Sequence, residues 1–171
     1  MFEKGDLVTY GCKGVCEVKN ITTLNLEGIP KDRLYYEMQS MVNAGSRIFS
    51  PVGQEEKNAM RAVLTKELLG QLPECRLCWE KDERRREETY RRIINHSDAR
   101  GMLCMIRTIT DYGRERVLEG RRMPAMDGRY LKAAEDNLYA ELSIAMEIPR
   151  SALKEYMAAR MGELSGALQA L

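Results

Sequence analysis

Over the first 64 residues, apolar and polar positions alternate in short segments separated by glycine turns. Asp6 to Tyr10 reads as a strand that ends at the turn Gly11-Cys12-Lys13-Gly14. From Val15 to Thr23, Val15, Glu17 and Lys19 alternate with Cys16 and Val18, with Ile21 beyond. Leu24 to Pro30 is a turn region. Leu34, Tyr35, Tyr36 and Met38 mark a strand over Arg33 to Met38, and Asn43-Ala44-Gly45-Ser46 is a further turn. Arg47 to Val52 is another short strand, closed by Pro51 and Gly53. Period-two alternation is what a strand with one buried face requires. Four or five such strands in about 60 residues predict a small antiparallel β-barrel.

After residue 64 the period becomes helical. Thr65 is placed to cap a short helix that ends near Gly70 to Pro73. Lys81 to Asn95 is polar, with Tyr90, Ile93 and Ile94 as a narrow apolar stripe. Ser97-Asp98 caps the next helix, in which Met102, Leu103, Ile106, Ile109, Gly113 and Val117 recur at helical spacing. Gly120 to Asp127, with Pro124, reads as a loop. A long helix starts at Asp127 or Gly128 and carries Leu131, Ala134, Leu138, Leu142 and Ala145 on one face. Ile148-Pro149-Arg150-Ser151 breaks it, and Ser151 caps a last helix to about Met161. Strands followed by helices predict an α+β chain of two domains, a β-barrel over 1–64 and an all-α domain over 65–171, and argue against a parallel α/β fold.

Charge changes this picture locally. The chain holds 27 Lys+Arg against 26 Asp+Glu, a balance that excludes a histone-like basic protein. Residues 1–64 are neutral, whereas residues 76–122 carry 13 basic against 9 acidic side chains. Arg84, Arg85, Arg86, Arg91 and Arg92 lie in that second segment, on one predicted helix. Arg84 and Arg91, like Arg85 and Arg92, are seven residues apart and share helix faces. The guanidinium fork suits phosphate. Against this, Glu80, Glu83, Glu87 and Glu88 stand at ion-pairing distances along the same helix. Trp79, the single tryptophan, precedes the arginines in a linker-like stretch. It is either a core residue or a side chain placed to stack on bases or wedge into a groove.

Candidate chemistry is sparse. There is one histidine, no Gly-x-Ser-x-Gly elbow and no phosphate-binding glycine loop. Five cysteines, an odd number, are expected to be reduced thiols. Cys75-x-x-Cys78 has metal or redox spacing, but its possible partners Cys12 and Cys16 lie in the other domain with the wrong spacing. Cys16 and Cys104 read as small buried apolar residues. The expectation is a protein with no metal, no cofactor and no small-molecule substrate. Apolar runs of only a few residues and a start without a signal peptide's apolar run predict no membrane partner and a cytosolic protein; a monomer is the default expectation, with self-pairing through an exposed apolar β face as the alternative.

The order of motifs resembles a known family. Phe2-x-x-Gly5-Asp6-x-Val8-x-Tyr10 followed by Gly14-Val15 is similar to the start of a CarD-type RNA-polymerase-interaction domain. Ile48-Phe49-Ser50-Pro51-Val52 resembles that domain's last main strand. Met60-Arg61-Ala62-Val63-Leu64 resembles its exit segment, with Ala62 where the family has Pro. Trp79, the arginine helix, Ile106-Arg107-Thr108 and Ala134 to Leu142 are similar to the family's helical domain. The resemblance implies a Tudor/SH3-like β-barrel docking on the RNA polymerase β subunit, and a helical domain on promoter DNA at the upstream edge of the bubble. It implies DNA contacts by Trp79, Arg84, Arg85, Arg86, Arg91 and Arg92, and polymerase contacts by Leu24, Leu26, Arg47 and Phe49. It implies a regulator without catalysis that stabilises the open promoter. Transcription-repair coupling factors share the β module, but 171 residues do not hold their motor domains.

Two other readings stand beside this one. The helical domain would bind another protein rather than DNA, making the chain an adaptor. A thiol enzyme using Cys75 or Cys78 is the third, and rests on the Cys-x-x-Cys spacing alone.

Overall fold

The computed structural model describes residues 1–25, 28, 30, 32–41, 45–64, 75–157 and 159. The helix expected to open at Thr65, Leu26, and the end of the last helix lie outside the described residues. The chain divides into two units, Met1–Val63 with Asn95–Ser97, and Leu64–Ile94 with Asp98–Leu171. It is α+β.

The first unit is a five-stranded antiparallel sheet. Its strands are β1 (Leu7–Tyr10), β2 (Val15–Thr23), β3 (Leu34–Ser40), β4 (Arg47–Pro51) and β5 (Met60–Ala62). The order β4-β3-β2-β1-β5 makes the first four strands a meander and returns the fifth to β1, consistent with a Tudor-like module. Val8, Cys16, Val18, Tyr36, Met38 and Met60 form the core, with Ile21, Ile48 and Val52 packed against them. Strict alternation along β2 would turn Ile21 away from Cys16 and Val18. A register shift between Val18 and Asn20 inserts Lys19 as an extra residue and brings Ile21 opposite Tyr36. The bulge thus corrects the parity of the strand. The Tyr36 hydroxyl donates to Glu55 Oε1 at 2.6 Å, and the Asn58 side-chain amide donates to Ser50 Oγ at 3.1 Å. These bonds tie the β4–β5 connection to the sheet. The phenol's hydrogen bond holds the Glu55 carboxyl below its ordinary value, while burial raises that of Tyr36.

The second unit packs α1 (Glu83–Asn95), α2 (Ala99–Leu118) and α3 (Ala125–Met146), with a further helical segment over 150–157. Tyr90, Ile93 and Ile94 of α1 meet Met102, Leu103, Met105, Ile106 and Ile109 of α2 and Ala134, Leu138 and Leu142 of α3 in one core. Asp98 caps α2, its carboxylate accepting from the Gly101 amide at 2.9 Å. Pro124 precedes α3, which begins at Ala125 rather than Asp127. A proline fits the start of a helix, where its missing N–H has no intrahelical partner. Glu147 ends α3 in the left-handed conformation, φ 57°. Val117 departs from expectation, because it is 68% exposed and leaves the stripe that Ile109 and Gly113 continue. No helix among the described residues is long and apolar enough to cross a membrane.

Candidate functional site

In the first unit, β4 is an edge of the sheet. Its even-numbered residues face the core, and Ser50 is fully buried. Hydrogen bonds from the Val52 amide to Leu34 O and from the Ser40 amide to Ser46 O mark the even residues as those paired to β3. Antiparallel pairing then turns the backbone polar groups of Arg47, Phe49 and Pro51 toward the open edge. Pro51, with no N–H to donate, costs nothing there. Arg47 and Phe49 share the outer face of the sheet. The Arg47 guanidinium is 3.4 Å from Glu37 and the Arg47 side chain is 77% exposed. Phe49 stands opposite Glu37 and is 40% exposed. Leu24 follows the end of β2 and is half-buried.

In the second unit, residues 75–80 have no regular secondary structure and precede α1. They form a strap held along one stripe of α2. Cys75 is disulfide-bonded to Cys104. The Leu77 amide donates to Thr108 Oγ1 at 2.9 Å. Arg76 pairs with Asp111 at 3.1 Å. The Trp79 indole stacks on Tyr112 with ring centroids 3.8 Å apart and an interplanar angle of 29°. Residues 104, 108, 111 and 112 fall on one helical face, so the strap follows α2 residue by residue. Trp79 is neither core nor free, but half-buried at the strap's far end.

Arg86 fastens that end. It is 7% exposed, and Asp127 of α3 is fully buried. Arg86 Nε and Nη2 donate to Asp127 Oδ1 and Oδ2 at 2.9 and 3.1 Å. Its Nη1 donates to Glu80 O at 2.8 Å and Lys81 O at 3.4 Å, and its guanidinium carbon lies 4.6 Å from the centroid of the Trp79 ring. Burial works against this charge, but the hydrogen bonds and charge of Asp127 outweigh it and hold the guanidinium above its ordinary value. The structure thus places Arg86, expected at DNA, inward, with four of its five N–H donors bound inside the unit. Arg86 is four residues before Tyr90 and seven before Ile93, so the helical stripe itself placed it inward.

The remaining arginines of α1 separate into two rows. Thr89, beside Trp79 around a small cavity, lies between Arg85 and Arg92 at helical spacing, and both arginines are exposed. On the opposite side, Glu87 Oε1 accepts from Arg91 Nη2 and Arg129 Nη2 at 3.2 Å and from Tyr130 OH at 3.1 Å. Arg84 is 3.9 Å from Glu88, with its side chain 91% exposed, a separation and exposure at which an ion pair contributes little. Acid dilution is thus realised on the Arg91 side, where Glu87 gathers Arg91, Arg129 and Tyr130.

Residues 2–64 match the family model of the CarD-like/TRCF RID domain. The first unit is a CarD-like RID domain. It is an RNA-polymerase-interaction domain, and its type implies a contact with the polymerase β subunit. No curated protein matches the chain significantly. The matched segment ends at Leu64 and does not include the strap or the arginine helix.

The thiols correct a further expectation. Reduced cysteines were expected, with Cys104 as a buried apolar residue, yet Cys104 is bonded to Cys75, 29 residues away. Local spacing points Cys75 to Cys78 instead, and only the course of the strap along α2 brings Cys104 to it. Among the described residues no three His, Cys, Asp or Glu side chains group as metal ligands. In the RID domain, Cys16 is buried and its thiol is pushed up to about 11 by burial, while Cys12 is exposed, as is Cys78 in the second unit. A thiolate is the reactive form. Titration of the native chain with a thiol reagent at mild alkaline pH is expected to show Cys12 and Cys78 reacting fast and Cys16 slowly. Cys75 and Cys104 are expected to react only after reduction. Five fast thiols in the unreduced chain would contradict the arrangement.

Proposed function

We propose that the chain is a non-enzymatic transcription regulator. It docks on the RNA polymerase β subunit through its RID domain and stabilises the open promoter through its helical unit, with Trp79 at the upstream bubble edge. The observation that carries the DNA half is the placement of Trp79 on a fixed strap on the same side of α1 as the exposed Arg85. A half-buried indole held by its faces and set beside cationic side chains suits a wedge, whose exposed edge enters an unstacked base step while the cations meet phosphate. Few basic contacts imply weak binding to free DNA. Tethering to polymerase offsets that weakness, because a linked second site sees a local concentration of roughly millimolar. A contact made in the open promoter and not in the closed one shifts the equilibrium toward open.

The test is the lifetime of open complexes formed by the cognate polymerase with the full chain. Trp79→Ala is expected to shorten it about ten-fold, the effect of losing one aromatic–base contact, with polymerase docking unchanged. Arg85→Ala is expected to shorten it more than Arg91→Ala, because Arg91 already shares Glu87 with Arg129. Equal lifetimes for wild type and Trp79→Ala would end this reading.

One observation favours the adaptor reading instead. Val117 and Leu118 are 68% and 87% exposed, and with Gly113, Met123 and Leu131 they line an open apolar groove at the end of α2. If the groove, and not Trp79, is what the helical unit uses, Leu118→Asp abolishes its activity in the polymerase complex while Trp79→Ala spares it.

A further inference from the structure

We propose that Arg86, clasped by Asp127, is a positioning residue that sets the orientation of the Trp79 indole and thereby pre-organises the DNA contact without touching DNA. The inference rests on the reading of Trp79 given above. It stands on a constellation that spans all three helices and the strap. Asp127, in the first turn of α3, fixes two of the three guanidinium nitrogens of Arg86. The third holds the strap backbone at Glu80 and Lys81. That leaves the guanidinium plane as the surface presented to Trp79, at 4.6 Å from the ring centroid. Tyr112 supplies a second contact to the same ring, and Arg116 reaches back to the Tyr112 hydroxyl at 3.1 Å.

Three consequences follow from this chemistry. A cation against the indole holds the ring by its π face, and desolvation strengthens the hold. A planar fork can serve Asp127, two carbonyls and a ring at once, whereas a lysine ammonium serves as a single point and cannot present a flat surface. A wedge that is already ordered loses less freedom on insertion than one that turns freely. The buried charge of Arg86 thus acts through Trp79, while Arg85 and Arg92 on the outer row meet the phosphates themselves.

Trp79 is the only tryptophan, so its fluorescence reads the clasp directly and without DNA. In the full chain, acrylamide quenching of Trp79 is expected to fall well below that of N-acetyltryptophanamide. Arg86→Lys, with helical content and a cooperative melt verified by circular dichroism, is expected to raise the quenching constant roughly two- to five-fold, the population change that loss of one such contact produces. Asp127→Asn keeps the side chain's shape and one acceptor while loosening the fork, and carries the same expectation should Arg86→Lys not fold. In promoter complexes, Arg86→Lys is expected to shorten the open-complex lifetime, and the double variant with Trp79→Ala to be no worse than Trp79→Ala alone. Wild-type quenching equal to that of the free amide, or unchanged quenching in folded variants, overturns the clasp. An additive double variant overturns the positioning role and returns Arg86 to direct contact. If Trp79→Ala leaves the lifetime unchanged, the DNA reading falls and the clasp's role in it falls too, while the quenching result still decides the clasp itself.

Discussion

Asp127→Ala is expected to destabilise the helical unit by about 3–5 kcal/mol, the cost of leaving a buried charge without its partner. The pair is the most deeply buried charge contact described in the chain: Asp127 is fully buried and Arg86 is 7% exposed. Every other described ion pair of α1 has at least one partner more than half exposed, as with Arg84–Glu88 and Arg91–Glu87, and such pairs are worth at most about 1 kcal/mol. After the substitution, Arg86 keeps its bonds to Glu80 O and Lys81 O but loses both bonds to the carboxylate. It cannot escape by deprotonating, because a guanidinium stays charged throughout the accessible pH range. The double variant Arg86→Met/Asp127→Leu removes both charges and refills the space, so it is expected to recover most of the loss. Urea unfolding followed by Trp79 emission reads this unit alone, since the single tryptophan lies in it. A loss below about 1 kcal/mol for Asp127→Ala would mean that water reaches the pair and that the clasp is not buried in solution.

The contrast between Arg86 and its neighbours shows what was legible in the chain and what was not. Three consecutive arginines look alike as composition. Helical periodicity separates them, because Arg86 shares a row with Tyr90, Ile93 and Ile94, all buried. That signal is local: Arg84 pairs in face with Arg91 and Arg85 with Arg92, whereas the residue seven beyond Arg86 is the apolar Ile93. The partner of Arg86 was not legible: Asp127 is 41 residues away, and nothing local distinguishes it from any acid at a helix start. Cys104 is a similar case. It sits on the α2 stripe that faces the strap, and only the docked strap reveals the disulfide. The β unit was read more fully, since period-two alternation and glycine turns are local. Even there the bulge at Lys19 depends on the partner strand, as it exists to bring Ile21 back onto the face of Cys16 and Val18. Val117 marks the opposite limit, where helical spacing continues past the last position that finds a neighbour. Periodicity reports which face a residue occupies, and packing decides whether anything covers it.

Phe49→Ala is expected to weaken binding of the full chain to the isolated polymerase β lobe roughly 30-fold, the loss typical of truncating an aromatic anchor at the centre of an interface. The RID-type domain implies a polymerase contact, and the proposed docking surface tested by this substitution is β4. Arg47, Phe49 and Pro51 direct backbone groups to an open sheet edge, and an edge strand can take an added strand through main-chain hydrogen bonds. Such pairing gives affinity with little selectivity, so side chains must choose the partner. Phe49 supplies apolar area on the outer face beside that edge, and Arg47 supplies charge that Glu37 only partly balances at 3.4 Å. Phe49 is 40% exposed and lies outside the core of Val8, Cys16, Val18, Tyr36 and Met38. Its removal is therefore expected to leave the melting temperature within the small range of surface substitutions. Arg47→Glu is expected to slow association and to change its salt dependence, because rim charges act on encounter more than on the docked state. The two variants separate the contributions: Phe49→Ala raises the dissociation rate at all salt concentrations, whereas Arg47→Glu acts mainly at low salt. If both bind the lobe as the wild type does, with the chain folded, the docking surface is not β4, and the opposite edge at β5 becomes the surface to test.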